Sequence, residues 1–213
     1  MAPRLRAEAL TFAFPGGPRL LDAWSAEFAE GEVVAVTGPS GRGKSTLLYL
    51  LGLMLSPGAG AVELDGTDCA RLPDAHRARL RAHRFGFVFQ DAALDASRTV
   101  LDNVTEAALY RGEPLGHARR RGLELLERFG VALRADARPG QVSGGQAQRI
   151  ALCRALLHDP AVVLADEPTG NLDPASSRAV VEALREQAHH GAAVIVVTHD
   201  PALVARCDRE IRL

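Results

Sequence analysis

Gly38-Pro39-Ser40-Gly41-Arg42-Gly43-Lys44-Ser45 decides how this 213-residue chain is read. The run fits G-x-x-x-x-G-K-[ST], the spacing of a phosphate-binding loop. Just before it, Val33-Val34-Ala35-Val36-Thr37 is a short β-branched apolar run, as expected of a parallel strand buried on both faces. Just after it, Thr46-Leu47-Leu48-Tyr49-Leu50-Leu51 predicts a helix. Strand, loop and helix are the context the motif requires. Glycines let backbone N–H groups curl around phosphate oxygens with no Cβ in the way. The helix N-terminus adds partial positive charge. Lys44 has the reach for β- and γ-phosphates, and the Ser45 hydroxyl suits Mg²⁺. The other reading of the run is a Gly-rich turn before a helix. A dinucleotide-binding fold is disfavoured, because no G-x-G-x-x-G occurs here.

The bulk properties are those of an ordinary soluble globular domain, with 47% hydrophobic and 24% charged residues. A net charge of −1 gives no general argument for a nucleic-acid or anionic-lipid partner. No apolar run approaches the ~20 residues of a membrane span. The stretch Met1-Ala2-Pro3-Arg4-Leu5-Arg6 has no apolar signal core. Cys69, Cys153 and Cys207 are far apart and odd in number, which suits a reducing compartment and buried or inert thiols.

Toward the N-terminus, Leu5–Phe14 and Leu20–Phe28 are β-like, and Pro15-Gly16-Gly17-Pro18 between them predicts a hairpin. Phe14 at its mouth either stacks on a nucleobase or packs the hairpin. Beyond the loop helix, Pro57–Gly60 is a turn and Ala61–Gly66 a short strand and turn. His76–Arg84, with four arginines and two histidines, is expected to be mostly a solvated helix face. Phe85-Gly86-Phe87-Val88-Phe89 is a buried strand that delivers Gln90 to a carboxyl end, where ligands bind in α/β sheets. From about 91 to 141 the β-branched runs vanish. Val100–Tyr110 and Leu115–Phe129 predict helices, so a helical subdomain interrupts the sheet strands.

Ser143-Gly144-Gly145-Gln146 opens a further helix that Asp159-Pro160 stops, with Ser143 as N-cap. Ala161–Glu167 is a buried strand ending in two acids. Alternation on a strand predicts that Asp166 faces a Mg²⁺ near the phosphates while Glu167 faces elsewhere. Asp173-Pro174 starts another helix. Ala192–Thr198 is one more buried strand, ending at His199, a candidate for contact with a terminal phosphate.

These landmarks, in this order, resemble the ATP-binding subunit of an ABC (ATP-binding cassette) transporter. The resemblance covers nearly the whole chain. It implies an α/β fold: a P-loop NTPase core with a mostly parallel sheet, an antiparallel β subdomain, and an inserted helical subdomain. Residues 1–90 and 142–213 would form the core and β part, and about 91–141 the helical part. ATP and Mg²⁺ are implied as ligands. Phe14 would stack on the base, and Gly38, Pro39, Ser40, Gly41, Arg42, Gly43, Lys44, Ser45 and Thr46 would cradle the phosphates. Ser45, Gln90 and Asp166 would hold the metal. Glu167 would be the catalytic carboxylate, with His199 and Gln90 beside it. Val142 to Gln146 would be the signature, with Ser143, Gly144, Gly145 and Gln146 reaching the nucleotide of a second copy. Asn171-Leu172-Asp173 would be the D-loop, bringing Asp173 to the same interface.

The implied partners are that second copy, head to tail, and integral-membrane permease subunits, with no nucleic acid. A cleft lined from Gln90 through about Leu101 would receive a helix of the permease. The implied location is the cytoplasm, peripheral at the inner face of the cell membrane. Phe87-Val88-Phe89-Gln90 and Ala165–Asp173 are similar to the branch with lipoprotein-release, macrolide-efflux and cell-division ATPases. Val142 in place of leucine and Arg42 in place of a small residue depart from the family pattern. Relatives usually continue past the position of Leu213, so no C-terminal regulatory domain is expected. The alternatives are a mechanical signalling ATPase of the cell-division type and a soluble ABC ATPase. DNA-repair members of that soluble kind usually carry long coiled coils or zinc-binding cysteines, which this sequence lacks.

Overall fold

The computed structural model describes residues 3–170 and 172–213. Strands β1 (Leu5–Ala13) and β2 (Arg19–Phe28) form the expected hairpin. They are followed by β3 (Val33–Thr37), helix α1 (Lys44–Leu51), β4 (Ala59–Leu64), β5 (Thr67–Asp68), α2 (Asp74–Arg84) and β6 (Phe85–Val88). Helices α3 (Val100–Arg111) and α4 (Leu115–Arg128) come next, then two 3₁₀ turns at 132–134 and 139–141. The chain continues through α5 (Gly144–Leu156), β7 (Val162–Asp166), α6 (Pro174–His189), β8 (Ala193–Val197), α7 (Pro201–Val204) and β9 (Arg209–Arg212).

Two sheets result. One is antiparallel, in the order β2-β1-β4-β5, and the other is parallel, in the order β6-β7-β8-β3-β9. In the parallel sheet Val33 pairs with Val194, Phe85 with Val162 and Asp166 with Val197. Every residue of β7 and β8 is buried, which is why these strands read as unbroken apolar runs.

Alternation along those strands splits the core in two. Val163, Ala165, Val194 and Val196 pack toward α3, α4, α5 and α6. Leu164, Ile195, Val34 and Val36 pack toward α1 and the antiparallel sheet, meeting Leu5, Leu10, Phe28 and Val62. Gly86 on β6 reflects close approach: a Cβ there would stand 2.4 Å from the Ala155 carbonyl oxygen of α5. The backbones of strand and helix therefore touch directly.

The arginines of α2 are less solvated than expected of a free helix face. Arg77 donates to Ser56 and Asp74, Arg81 to the Leu53 carbonyl at 2.7 Å, and Arg84 to Asp65 at 2.5 Å. Arg79 is exposed. Burial raises the thiol pKa of Cys69, Cys153 and Cys207, the last to about 11, so all three thiols stay protonated near neutrality.

His158, just past α5, lies 3.1 Å from the Phe85 carbonyl through Nε2, which must therefore carry the proton. Its Nδ1 is buried without a partner. Burial, then the charge of Arg111, pull its pKa from 6.5 to about 4, against weaker opposite pulls from the Phe85 carbonyl, Glu113 and Asp159. The unfolded chain takes up this proton below pH 6.5, and the folded chain does so only near 4. Stability tied to this group is therefore complete above 6.5, falls as pH drops through that window, and is level below it. The difference is worth about 3 kcal/mol. Urea unfolding of wild type and His158→Gln between pH 7 and 4 should show a shallower loss in the variant. Parallel curves would contradict this account.

Candidate functional site

Because β3, β6, β7 and β8 run parallel, their carboxyl ends open on one edge of the sheet. A cleft of about 440 Å³ lies there, lined by Ser40, Gly41, Gly43, Lys44, Ser45, Thr46, Gln90, Asp166, Glu167 and His199, with Leu20 and Val197.

The loop after β3 is shaped by its glycines. Gly43, at the N-cap of α1, has φ +87°, a conformation in which a side chain would be strained. No side chain caps α1, and its first turn holds no acid, so its leading N–H groups have no internal anion. Lys44 Nζ donates to the carbonyls of Gly38 at 2.8 Å and Pro39 at 2.9 Å, which brings the ammonium back over the loop.

Asp166 is 5% exposed. Burial raises its carboxyl pKa, the Glu167 charge adds to this, and a hydrogen bond from Ser45 and the charge of Lys44 oppose it. A buried carboxylate with this deficit, next to a hydroxyl and the Gln90 amide, is a hard-oxygen set that suits Mg²⁺. No group of three or more His, Cys, Asp or Glu among the described residues is placed to hold a metal.

Glu167 departs from the strand-alternation expectation. Strand β7 ends at Asp166, and Glu167 has φ +45°, so alternation stops one residue early and both acids line the same cleft. Its N–H still donates to the Val197 carbonyl at 2.9 Å. Glu167 Oε1 lies 2.6 Å from His199 Nδ1, and Oε2 accepts from the Thr198 hydroxyl at 3.3 Å. The hydrogen bond to Glu167, then its charge, raises the His199 pKa. The His199 side chain is 80% exposed and that of Glu167 14%, so the imidazole covers the carboxylate from the solvent side.

Other expected residues lie outside this cleft's lining. Phe14 stands on the β1–β2 turn, 48% exposed, with its ring edge-to-face on Phe12 at 5.0 Å. Ser143 caps α5: its Oγ accepts from the Gln146 N–H at 3.3 Å, and Gln146 Oε1 accepts from the Ser143 N–H at 2.9 Å. This capping box satisfies one leading N–H of α5 and leaves those of Gly144 and Gly145 pointing outward. Asp173 turns its carboxylate onto α6, accepting from the N–H groups of Ala175 and Ser176. Asn171 lies outside the described residues. Leu20, which the sequence did not single out, lines the cleft because the start of β2 lies against Gly43, whose added Cβ would meet the Leu20 Cβ at 3.3 Å.

A larger groove of about 930 Å³ runs between α2, β6, α3 and the end of α5, with Phe87, Phe89, Ala107 and Tyr110 among its walls. None of its lining residues falls in the stretch 90–101 expected to form a partner cleft; the groove stops at Phe89 and resumes at Glu106.

A family model described as ABC transporter matches residues 21–170. The chain belongs to the ABC transporter family. It is an ATPase of that family's ATP-binding type. It is 44% identical over 215 residues to the lipoprotein-releasing system ATP-binding protein LolD of Bordetella pertussis, covering 99% of this chain and 93% of that protein. It is 43% identical over 215 residues to a macrolide export ATP-binding/permease protein, MacB 1/2, of Paracoccus denitrificans, of which it spans 32%. Among solved structures, the dimeric post-hydrolysis state of the ATP-binding cassette MJ0796 with ADP and Pi superposes with a TM-score of 0.92 at 34% identity. The match covers 98% of this chain and 94% of that one. The expected α/β cassette fold and the LolD/MacB-like branch are both borne out.

Lys44→Ala removes the ammonium held over the loop. Equilibrium titration with a fluorescent ATP analogue should show affinity lower by roughly 100-fold, the scale of losing charge-assisted bonds to phosphate. Near-normal affinity would remove Lys44 from the site.

Proposed function

We propose that this chain is the Mg²⁺-dependent motor of a membrane transporter. It works as a head-to-tail pair with ATP held between the copies. It passes the movement to integral-membrane permease subunits at the cytoplasmic face of the cell membrane. The names of the LolD and MacB relatives support a lipoprotein-release or efflux type of export. No helix among the described residues is long and apolar enough to cross a membrane. Residues 91–141 form the helical subdomain of this motor, and the groove beside Tyr110 receives the permease.

The observation that carries the reading is the convergence of Lys44, Ser45, Gln90, Asp166, Glu167 and His199 on one cleft, while the Ser143 helix start lies outside it. Gly38 to Thr46 hold the phosphates and Phe14 lies against the base. Ser45, Asp166 and Gln90 hold the metal, which when bound neutralises charge on the phosphate oxygens. Glu167 orients the attacking water and accepts its proton. His199 keeps that carboxylate in place and meets the γ-phosphate. Ser143, Gly144, Gly145 and Gln146 close on the nucleotide of the opposite copy, with Asp173 shaping the contact. The N–H groups of Gly144 and Gly145, solvated in the separate chain, turn to the phosphate oxygens of that nucleotide, so ATP joins the pair and its loss lets the copies part.

Glu167→Gln keeps the shape of the side chain and loses its charge. It should bind Mg-ATP yet hydrolyse it slower by roughly 10²–10⁴-fold, and run as an ATP-dependent dimer on size-exclusion chromatography. Wild-type turnover would end the role given to Glu167. Ser143→Arg and Lys44→Ala subunits should each be inactive alone. Mixed, they should regain hydrolysis through one site that joins the intact loop of the first to the intact helix start of the second. A mixture as dead as its parts, with a wild type that turns over as a monomer at every concentration, contradicts the shared site.

A further inference from the structure

Directly after β6 the chain does something alanines resist. Ala92 and Ala93 are consecutive residues in the left-handed region, at φ +63° and +46°. Two adjacent left-handed alanines persist only where their surroundings impose the conformation. Those surroundings come from α5. Arg154 donates through Nη2 to the Ala92 carbonyl at 2.8 Å and through Nη1 to the Ala93 carbonyl at 2.7 Å. One turn and a half earlier on the same helix, the buried Gln148 donates through Nε2 to the Phe89 carbonyl at 3.2 Å. The three acceptors bracket Gln90.

The arginine is used in an uncommon way. It forms no ion pair with an acid among the described residues; both of its donated hydrogen bonds go to these two backbone carbonyls. Arg154 is half-buried, so its guanidinium gives up part of its water for these two bonds. Here the planar fork spans two successive peptide groups, which a lysine has no geometry to do. The helix that supplies it is fixed in turn, since α5 lies backbone to backbone on β6 at Gly86. That same helix begins at Ser143.

We propose that Arg154 is a positioning residue for hydrolysis: its guanidinium holds Ala92 and Ala93 left-handed and so sets the backbone that presents Gln90 to the cleft. Segment 89–93 is then carried by the helix whose other end reaches the second nucleotide. A shift of α5 moves Gln90 with it. The proposal rests on the role given above to Gln90.

The test uses the full chain with the substitutions Gln90→Ala, Arg154→Met, and Arg154→Met combined with Ala92→Gly and Ala93→Gly. Glycine enters the left-handed region without a Cβ penalty, so it removes the strain that the clamp otherwise has to hold. Arg154→Met should lower kcat on the order of 10- to 100-fold, the scale of a small misplacement of a positioned group. KM for ATP should stay within about threefold, marking a loss felt in the chemical step and not in binding. Amide exchange across 89–95 should quicken. The two added glycines should recover part of kcat by removing the strain at 92 and 93, while exchange stays fast; they would recover nothing if Arg154 only supported the general fold. Wild-type kcat in Arg154→Met overturns the proposal, and so does a loss that the glycines leave uncorrected. If Arg154→Met does not fold, Arg154→Lys with and without the glycines is judged by the same criteria. Gln90→Ala reports separately. Wild-type kcat there removes the role of Gln90, while the exchange data on the arginine variants still decide whether the clamp exists.

Discussion

Parallel strands must all release their chains at the same edge of the sheet. Everything at the candidate site depends on that constraint. The phosphate loop leaves β3, Gln90 follows β6, Asp166 closes β7 and His199 follows β8, so four distant parts of the sequence meet without any long loop bringing them together. Parallel pairing in turn requires cover on both faces. The antiparallel sheet with α1 supplies one cover and α3 to α6 the other. The division into β part, sheet and helical part is thus a consequence of burying the sheet that builds the cleft.

The cleft is arranged around charges that the protein leaves partly unanswered. Asp166 sits where burial disfavours its ionised form, Glu167 adds a second negative charge, and Lys44 is held back on loop carbonyls. The helix start of α1 has no internal cap. A polyphosphate with a divalent cation answers each of these at once, and a neutral ligand answers none of them. His199 also ties Glu167 in place, so the second carboxylate is oriented by a neighbour and not by the strand.

Much of this was legible in the sequence because the decisive strands are buried on both sides and read as apolar runs. Val33–Thr37, Ala161–Glu167 and Ala192–Thr198 read as strands within a residue or so of their observed ends, and the caps at Ser143 and Asp173 are as plain. Short pieces gave no such signal: β5, α7 and β9 have two to four residues each, too few for a period to show. The orientation of Glu167 was misread because alternation holds only while the backbone is extended, and its φ is +45°. The arginines of α2 looked like a solvated face, since nothing local reveals that Leu53 and Asp65 wait as acceptors. Leu20 and Arg154 were invisible for the same reason. Each acts on backbone that is distant in sequence.

The strand order also has a meaning in time. Strand β3 forms early in the chain, yet its neighbours in the sheet are β8 and β9, with Val33 against Val194 and Val34 against Arg209. During synthesis from the N-terminus, Val33–Val36 therefore has no sheet partner until the last strands emerge. Pairings of such long sequence separation close slowly, and an apolar strand left open meanwhile is a site for misassociation. The cleft at the carboxyl edge of the sheet is in this sense completed late, although the β3 loop that lines it is made long before β8.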